Sequence, residues 1–105
     1  MPSPEQYAEM RRKSLQRNRP DLYREFAQEG ELQSHLKEIG ESASAMEAGM
    51  LSRMEKKNPL PEEYLERVRE LGRRQRQVLE VVMNDLIHEP DAMTAKAMSQ
   101  GGYTD

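Results

Sequence analysis

Apolar side chains recur at helical spacing along two long stretches of the chain, one before and one after residues 58–61. Within each stretch, successive positions are three or four residues apart, which places them on one face of an α-helix. The first stripe comprises Leu32, Leu36, Ile39, Ala43, Met46, Met50 and Met54. The second, in which a glycine and a glutamine occupy two positions, comprises Leu65, Val68, Gly72, Gln75, Leu79, Val82 and Leu86. The pattern predicts two long helices of similar length.

The sequence Asn58-Pro59-Leu60-Pro61 separates the two stripes and predicts a turn. Proline ends a helix because it lacks an N–H donor, yet it fits the first position of a new helix. Glu62 and Glu63 follow, and acidic side chains stabilise the start of a helix through its dipole. We therefore expect the second long helix to begin at Pro61 and to run to His88.

Folding the chain back at this turn pairs the two stripes in an antiparallel hairpin. Residue numbers in most facing pairs then add up to 118, so that Met50 lies opposite Val68 and Met46 lies opposite Gly72. A large side chain facing a missing one is the complementarity that a packed interface needs. The sequence therefore predicts both the hairpin and its pairing.

A smaller pair of helices is predicted ahead of the hairpin. Ser3 and Gln6 have the spacing of a capping box at the start of the first helix. Asn18-Arg19-Pro20 interrupts it, because the residue before a proline disfavours the helical conformation. The second helix carries an apolar side made of Leu22, Tyr23 and Phe26. Gly30 is the expected stop, since glycine tolerates the left-handed conformation after a helix end.

Together these elements predict an all-α protein with a long antiparallel helical hairpin and a smaller N-terminal helical pair. The expected parts are short helices at 1–29, the hairpin at 30–88 with its turn at 58–61, and a flexible tail at 89–105. The sequence leaves open whether residues 91–100 form one short helix.

The composition favours a thin core. Hydrophobic residues make up 35% of the 105 residues and charged residues 33%, with eight methionines and no tryptophan. Methionine fills irregular gaps without specifying them tightly. A thin core is typical of an elongated helical protein, or of one that completes its core by association. A homo-oligomer is therefore one of the expected states.

The absence of cysteine excludes disulfides, thiolate metal sites and cysteine nucleophiles. No apolar run approaches the roughly 20 residues of a membrane span, and the first residues lack the pattern of a signal peptide. We expect a cytoplasmic protein without membrane contact. The net charge of −3 is spread over alternating basic and acidic blocks, unlike that of a uniformly basic nucleic-acid binder.

Few residues suggest reaction chemistry. His35 and His88 are the two histidines, and Asp85 shares one helical face with His88. A metal site in a helical bundle needs a second motif of this kind, which the sequence lacks. No nucleophile, base and orienting group can be assembled from the sequence, and Gly101-Gly102 is not a phosphate-binding loop. We therefore predict no catalytic residue, no metal site and no cofactor.

Five arginines crowd the second long helix and form the first candidate binding surface. They are Arg67, Arg69, Arg73, Arg74 and Arg76. Such a group can contact phosphates or an acidic partner. The alternative is a solvated face whose charges are neutralised by acids three or four residues away. The pairs with that spacing are Glu63–Arg67, Glu66–Arg69 and Glu70–Arg74.

A second basic group lies on the first short helix. Its members are Arg11, Arg12, Lys13, Arg17 and Arg19. If this helix docks near the hairpin, the group extends the same binding surface. The alternative is again a solvated helix face.

A row of small residues lines the first long helix at Gly40, Ser44 and Ala48. Small side chains let another helix approach closely, which makes the row a candidate for helix packing or self-contact. Gln75, in the middle of the second stripe, is a candidate for the same role, because a buried polar residue can fix the pairing of helices. Its alternative is a place at the edge of the interface, bonded to water.

The pattern also carries a family resemblance. The chain resembles the core block of TnpV-type proteins at Leu22-Tyr23, Phe26, Gly30-Glu31-Leu32, Leu36, Ile39 and Ala43. Residues 75–87 are similar to the end of the same family. TnpV-type proteins are small helical products of transposons and phage-like elements. The resemblance implies an accessory role on a mobile element, in contact with DNA or a recombination complex, and it supplies no catalytic residues.

The leading functional hypothesis is a non-enzymatic protein-interaction or regulatory protein, encoded by a mobile element and acting on a protein partner. The alternative is a nucleic-acid-binding accessory protein that uses the two basic groups.

Overall fold

The computed structural model describes residues 1–88, and all the regular elements within this range are helical. They are α1 (Pro4–Asn18), α2 (Pro20–Gln28), α3 (Leu32–Lys57), α4 (Tyr64–Val82) and a π-helical turn (Met83–His88). The predicted all-α class is therefore confirmed, with α3 and α4 as the long pair and α1 and α2 as the smaller one. The predicted flexible tail at 89–105, including the open question at 91–100, lies outside the described residues.

The capping box predicted at the start of α1 and the left-handed glycine predicted after α2 are both present. The Ser3 hydroxyl accepts a hydrogen bond from the Gln6 N–H at 3.1 Å, and the Ser3 N–H donates to the Gln6 side chain at 2.7 Å. These two bonds satisfy donors that a helix start otherwise leaves unpaired. Between α2 and α3, Gly30 has a φ of 72°, a conformation that favours glycine.

Helix α1 lies directly against α3 at Gly40. A Cβ atom at this position would overlap the backbone carbonyl of Pro4 and lie 3.4 Å from the Cβ of Ala8. Glycine at position 40 therefore permits a close approach of two helix backbones. One member of the predicted small-residue row thus packs helices together inside a single chain.

The core lies where α1, α3, the end of α4 and the π-helical turn meet. Its fully buried members are Tyr7, Ala43, Val78, Val82 and Ile87. Half-buried side chains, many of them methionines, surround this cluster on α1, α3 and α4. The core is therefore displaced from the turn at 58–61 toward the other end of the hairpin.

The pairing of α3 with α4 differs from the predicted one. Arg74 lies 3.6 Å from the Glu55 carboxylate and donates to the carbonyl of Asn58, at the end of α3. The predicted pairing instead buries Val68 against Met50, whereas Val68 is half exposed. The antiparallel hairpin is present, but α4 is displaced along α3 toward the turn.

The start of α4 accounts for part of this displacement. The helix begins at Tyr64, and the predicted start at Pro61 is wrong. The cap is Glu63, whose carboxylate accepts the N–H of Glu66 at 2.9 Å. Because the chain runs on from Asn58 to Glu63 before it turns back, the first turns of α4 extend beyond the end of α3.

Replacement of Gly40 by alanine should destabilise the protein, although alanine is the better helix former. The added methyl group must displace the backbone of α1, and overpacking of this kind typically costs about 1–3 kcal/mol. Gly49→Ala on the same helix is the matched control, because its Cβ would meet only the mobile end of Arg53 at 3.3 Å. Urea unfolding followed by circular dichroism measures both variants. Equal stability of the two would contradict the close approach at Gly40.

Candidate interaction surface on the fourth helix

Four large apolar side chains are exposed on the first turns of α4. Their exposed fractions are 73% for Tyr64, 56% for Leu65, 49% for Val68 and 36% for Leu71. Leu65, Val68 and Leu71 follow one another at intervals of three, and Tyr64 adjoins them, so all four share one broad face. We call these four residues the apolar patch. Apart from Met1, they are the large hydrophobic side chains that stand exposed in the described part of the chain.

The apolar patch is exposed because the first turns of α4 extend beyond the end of α3. Leu65 and Val68 belong to the stripe that was expected to pack on α3, but α3 has already ended where they lie. Fully burying a side chain of this size stabilises a protein by about 1.5–3 kcal/mol. The fold leaves much of this stabilisation unrealised, and contiguous exposed apolar surface makes these four residues a candidate contact site.

Arg74 is a structural residue rather than part of an exposed surface. It is buried, and its Nε donates to a carboxylate oxygen of Glu70 at 2.7 Å. Its other nitrogens face Glu55 and the carbonyl of Asn58. Arg74 therefore connects α4 to the end of α3, and it is not available to an external ligand.

Two other members of the predicted arginine surface have partners within the chain. Arg73 makes two bonds to Glu70, at 2.6 and 3.0 Å, and Arg67 donates to the carbonyl of Pro61 at 2.9 Å. Of the predicted ion pairs, Glu70–Arg74 forms. The pairs Glu63–Arg67 and Glu66–Arg69 are not among the ion pairs of the described residues.

Arg69 and Arg76 are exposed, and neither has an ion-pair or hydrogen-bond partner in residues 1–88. Glu62, just ahead of the helix, is likewise exposed and unpaired within that range. The spacing of seven residues from Arg69 to Arg76 within α4 places both on one side of the apolar patch, and Glu62 lies in the non-helical segment just before the helix. The candidate surface thus consists of an apolar patch with a charged border.

Glu70 is held in its charged form. Hydrogen bonds from Arg73, followed by those from Arg74, lower the pKa of the Glu70 carboxyl from 4.5 to about 2. Charge-assisted bonds of this type are stronger than neutral ones. The carboxylate therefore helps to hold the arginine that joins α4 to α3.

The second basic group is also divided by the structure. Arg11 is buried; its Nη1 donates to the carbonyl of Ile87 at 2.7 Å and its Nε to His35 at 3.2 Å. Arg12 pairs with Glu9, and Arg19 pairs with Asp21. Lys13 and Arg17 remain exposed. Only part of this group can therefore extend a surface for an external partner.

Sequence reasoning missed the internal role of Arg11. The arginine binds a carbonyl of the π-helical turn, and the Ser14 hydroxyl lies 2.9 Å from Nδ1 of His88 in the same turn. The available signal was the helical spacing of Tyr7, Arg11 and Ser14, which places these residues on one face of α1. That face is the buried one.

Tyr7, at the other end of this buried face, donates a hydrogen bond from its hydroxyl to Glu47 at 2.9 Å. Burial, together with this bond and the charge of Glu47, raises the pKa of the Tyr7 phenol. The phenol is therefore neutral at ordinary pH, and its role is to join α1 to the middle of α3.

The candidate self-contact residues occupy different environments. Gly40 is covered by α1, Ser44 is half buried and Ala48 is exposed. Gln75 is half buried on α4, one turn beyond Leu71. Self-contact through Ser44, Ala48 or Gln75 stays a prediction.

Within residues 1–88, no three acidic or histidine side chains are grouped closely enough to hold a metal ion. The helices in this range are also too short or too polar to cross a membrane.

Comparison with known proteins identifies one family. The family model described as transposon-encoded protein TnpV matches residues 3–87, which is most of the chain. The chain belongs to this family. Neither the curated proteins nor the solved structures contain a match to the chain.

Replacement of Arg74 by alanine should destabilise the fold, since it removes the bonds to Glu70 and to the end of α3 and leaves the Asn58 carbonyl without this donor. Loss of a buried, charge-assisted bond typically costs about 1–3 kcal/mol. Arg69→Ala, on the same helix but unpaired, should change stability by less than about 0.5 kcal/mol. Urea unfolding distinguishes the two. A stable Arg74→Ala protein would show that Arg74 does not hold the hairpin.

Acid should weaken the hairpin as Glu70 is protonated. Because its pKa is lowered in the folded state, its stabilising effect is complete above its ordinary pKa of 4.5 and is lost as the pH falls toward about 2. Glu70→Gln should therefore be less stable than wild type at neutral pH, with a difference that shrinks across this range. Urea midpoints measured against pH test this. A difference that stays constant would contradict the assigned pairing.

Proposed function

We propose that this chain is a non-enzymatic interaction and regulatory protein of a mobile element, and that it binds a protein partner through the apolar patch on α4. Its membership in a family of transposon-encoded proteins supports the mobile-element setting. The observation that carries the binding role is the exposure of Tyr64, Leu65, Val68 and Leu71 on one helical face.

The composition of this face favours a protein partner. Protein interfaces combine a core of apolar and aromatic side chains with a polar border, and tyrosine and arginine are common among their strongest contacts. Tyr64 supplies the aromatic group, while Arg69 and Arg76 lie beside the apolar patch without an ion-pair partner among residues 1–88. An amphipathic helix presented in this way is a recurring mode of recognition between proteins.

The non-enzymatic part of the proposal is supported by what the perturbed side chains do. A strongly shifted pKa often marks an active site, but it also arises in structural pairs. The raised pKa of Tyr7 follows from its burial and its bond to Glu47, and the lowered pKa of Glu70 follows from its bonds to Arg73 and Arg74. Tyr7 connects α1 to α3, and Glu70 holds the arginine that connects α4 to α3, which is sufficient reason for both shifts.

Nucleic-acid binding is the second candidate, and the exposed charges Arg69, Arg76, Lys13 and Arg17 favour it. Binding to a duplex draws most of its affinity from contacts between cations and phosphates. The internal use of Arg11 and Arg74 reduces the number of cations that can make such contacts. The exposed apolar patch has no role in that mode of binding, and for this reason we favour a protein partner.

Charged substitutions in the apolar patch should abolish partner binding without unfolding the chain. A tagged protein carrying Val68→Lys and Leu71→Lys is compared with wild type for recovery of proteins encoded by the same mobile element. Arg24→Glu, on the exposed side of α2, is the control for a change of surface charge. We expect recovery with wild type and with the control, and its loss with the double variant, while the unfolding midpoints of all three remain similar.

A gel-shift assay with duplex DNA at low salt distinguishes the two candidates. Retardation that is lost on Arg69→Glu/Arg76→Glu but survives Val68→Lys/Leu71→Lys would favour nucleic-acid binding and overturn the role of the apolar patch. Unchanged recovery of protein partners by the Val68→Lys/Leu71→Lys variant would overturn it as well.

A further inference from the structure

We propose that the apolar patch binds a second copy of this chain, with the two α4 helices antiparallel and a two-fold axis beside Val68. The inference rests on the proposed function, because it names the partner of the same surface. Three observations carry it: the symmetric order of the apolar positions, the missing side chain at Gly72, and the charge pattern along the border.

The apolar positions are symmetric about Val68. Leu65 precedes it by three residues and Leu71 follows it by three. In an antiparallel pair with an axis at Val68, Leu65 of each copy therefore lies level with Leu71 of the other, and the two Val68 side chains meet at the centre. A two-fold interface requires a surface that is complementary to itself in this manner.

The next layer outward pairs a large side chain with a missing one. Tyr64 precedes Val68 by four residues and Gly72 follows it by four. A Cβ atom at Gly72 would meet only the end of Arg76, at 3.6 Å, so the space above this glycine is open. The ring of Tyr64 from the second copy can occupy that space. Tyr64, the most exposed member of the apolar patch, would thus be buried at Gly72 of the second copy.

The charges on the border determine the orientation of the two helices. Arg76 lies on the same side of α4 as Arg69, and Glu62 lies just before the opposite end of this segment. At 1.5 Å per residue, Arg76 lies about 12 Å after Val68, and Glu62 stands two residues before Tyr64, the first residue of the helix. An antiparallel pair therefore brings the start of each α4, with Glu62 just before it, to Arg76 of the other copy. A parallel pair related by a two-fold axis would place the charged sides of the two copies on opposite sides of the interface, so that these charges would not meet.

One contact opposes the pairing. The two Arg69 side chains lie on the same side of the interface near the axis, where they repel each other. The apolar patch is also small, since a standard interface engages about 20–30 residues on each side. The association is therefore weak and concentration-dependent, as suits a regulatory contact.

Sedimentation velocity over a wide range of protein concentration tests the pairing. We expect wild type to pass from monomer to dimer as concentration rises, and Val68→Lys to remain monomeric because it places two cations at the axis. Arg69→Gln should strengthen the dimer by removing the repulsion there. Arg24→Glu is again the control, and it should behave as wild type.

A charge exchange tests the orientation. Arg76→Glu alone and Glu62→Arg alone each replace two attractive contacts by repulsive ones and should weaken the dimer about tenfold. A mixture of these two variants, or the double variant Glu62→Arg/Arg76→Glu, should restore association. Failure of the exchange to restore a dimer would overturn the antiparallel arrangement.

The remaining outcomes separate this inference from the proposed function. A wild-type protein that stays monomeric at every concentration overturns self-pairing. The proposed function still stands in that case if Val68→Lys/Leu71→Lys abolishes recovery of another protein of the element. A dimer that withstands Val68→Lys would show that the copies associate through a different surface, and this too overturns the inference.

Discussion

The close approach of α1 to α3 at Gly40 is the constraint on which the rest of the fold depends. The core has few large apolar side chains, so their burial stabilises the fold little unless three elements share one core. The absence of a Cβ at Gly40 lets the backbone of α1 lie on α3. This contact brings Tyr7 to Ala43 and creates the pocket that Val78, Val82 and Ile87 fill. Arg11 then fixes the end of the pocket by binding the Ile87 carbonyl.

The position of this core has a consequence at the other end of the hairpin. Helix α1 covers the early part of α3, the end of α4 and the π-helical turn complete the core there, and the beginning of α4 extends beyond the end of α3. Arg74 marks the boundary between the two parts. Apolar side chains that follow Arg74 in the sequence are buried in the core, whereas Leu65 and Val68, which precede it, are about half exposed. The candidate surface is therefore a product of how the core is built.

Local signals were sufficient to predict the helices, apart from the first residue of α4, but not the pairing of α3 with α4. The Ser3–Gln6 cap, the left-handed Gly30 and the regular apolar spacing act over a few residues, and the structure shows each of them. The pairing of α3 with α4 depends on contacts between distant residues. Each stripe repeats at helical spacing, so pairings of α3 with α4 that differ by whole helical turns all place apolar positions opposite each other. The two stripes alone therefore do not select one of these pairings. The observed pairing includes the contacts of Arg74 with Glu55 and with the Asn58 carbonyl, which the spacing of the stripes does not reveal.

The arginines show why the candidate site was only partly predictable. A sequence presents Arg69 and Arg74 as equivalent charges, and their difference arises from the displacement of α4 along α3. That displacement buries Arg74 beside Asn58 and Glu55, while Arg69 stays exposed beside Val68.

The same displacement changes the nature of the surface. A row of five cations would favour a phosphate backbone, whose recognition depends on the number of charges. Once Arg74 is buried and Arg73 is paired with Glu70, Arg69 and Arg76 are left as a border around exposed tyrosine, leucine and valine side chains. A border of this kind contributes orientation and specificity, while the apolar centre supplies the affinity. The burial of one arginine thus supports the proposed protein partner over a polyanion.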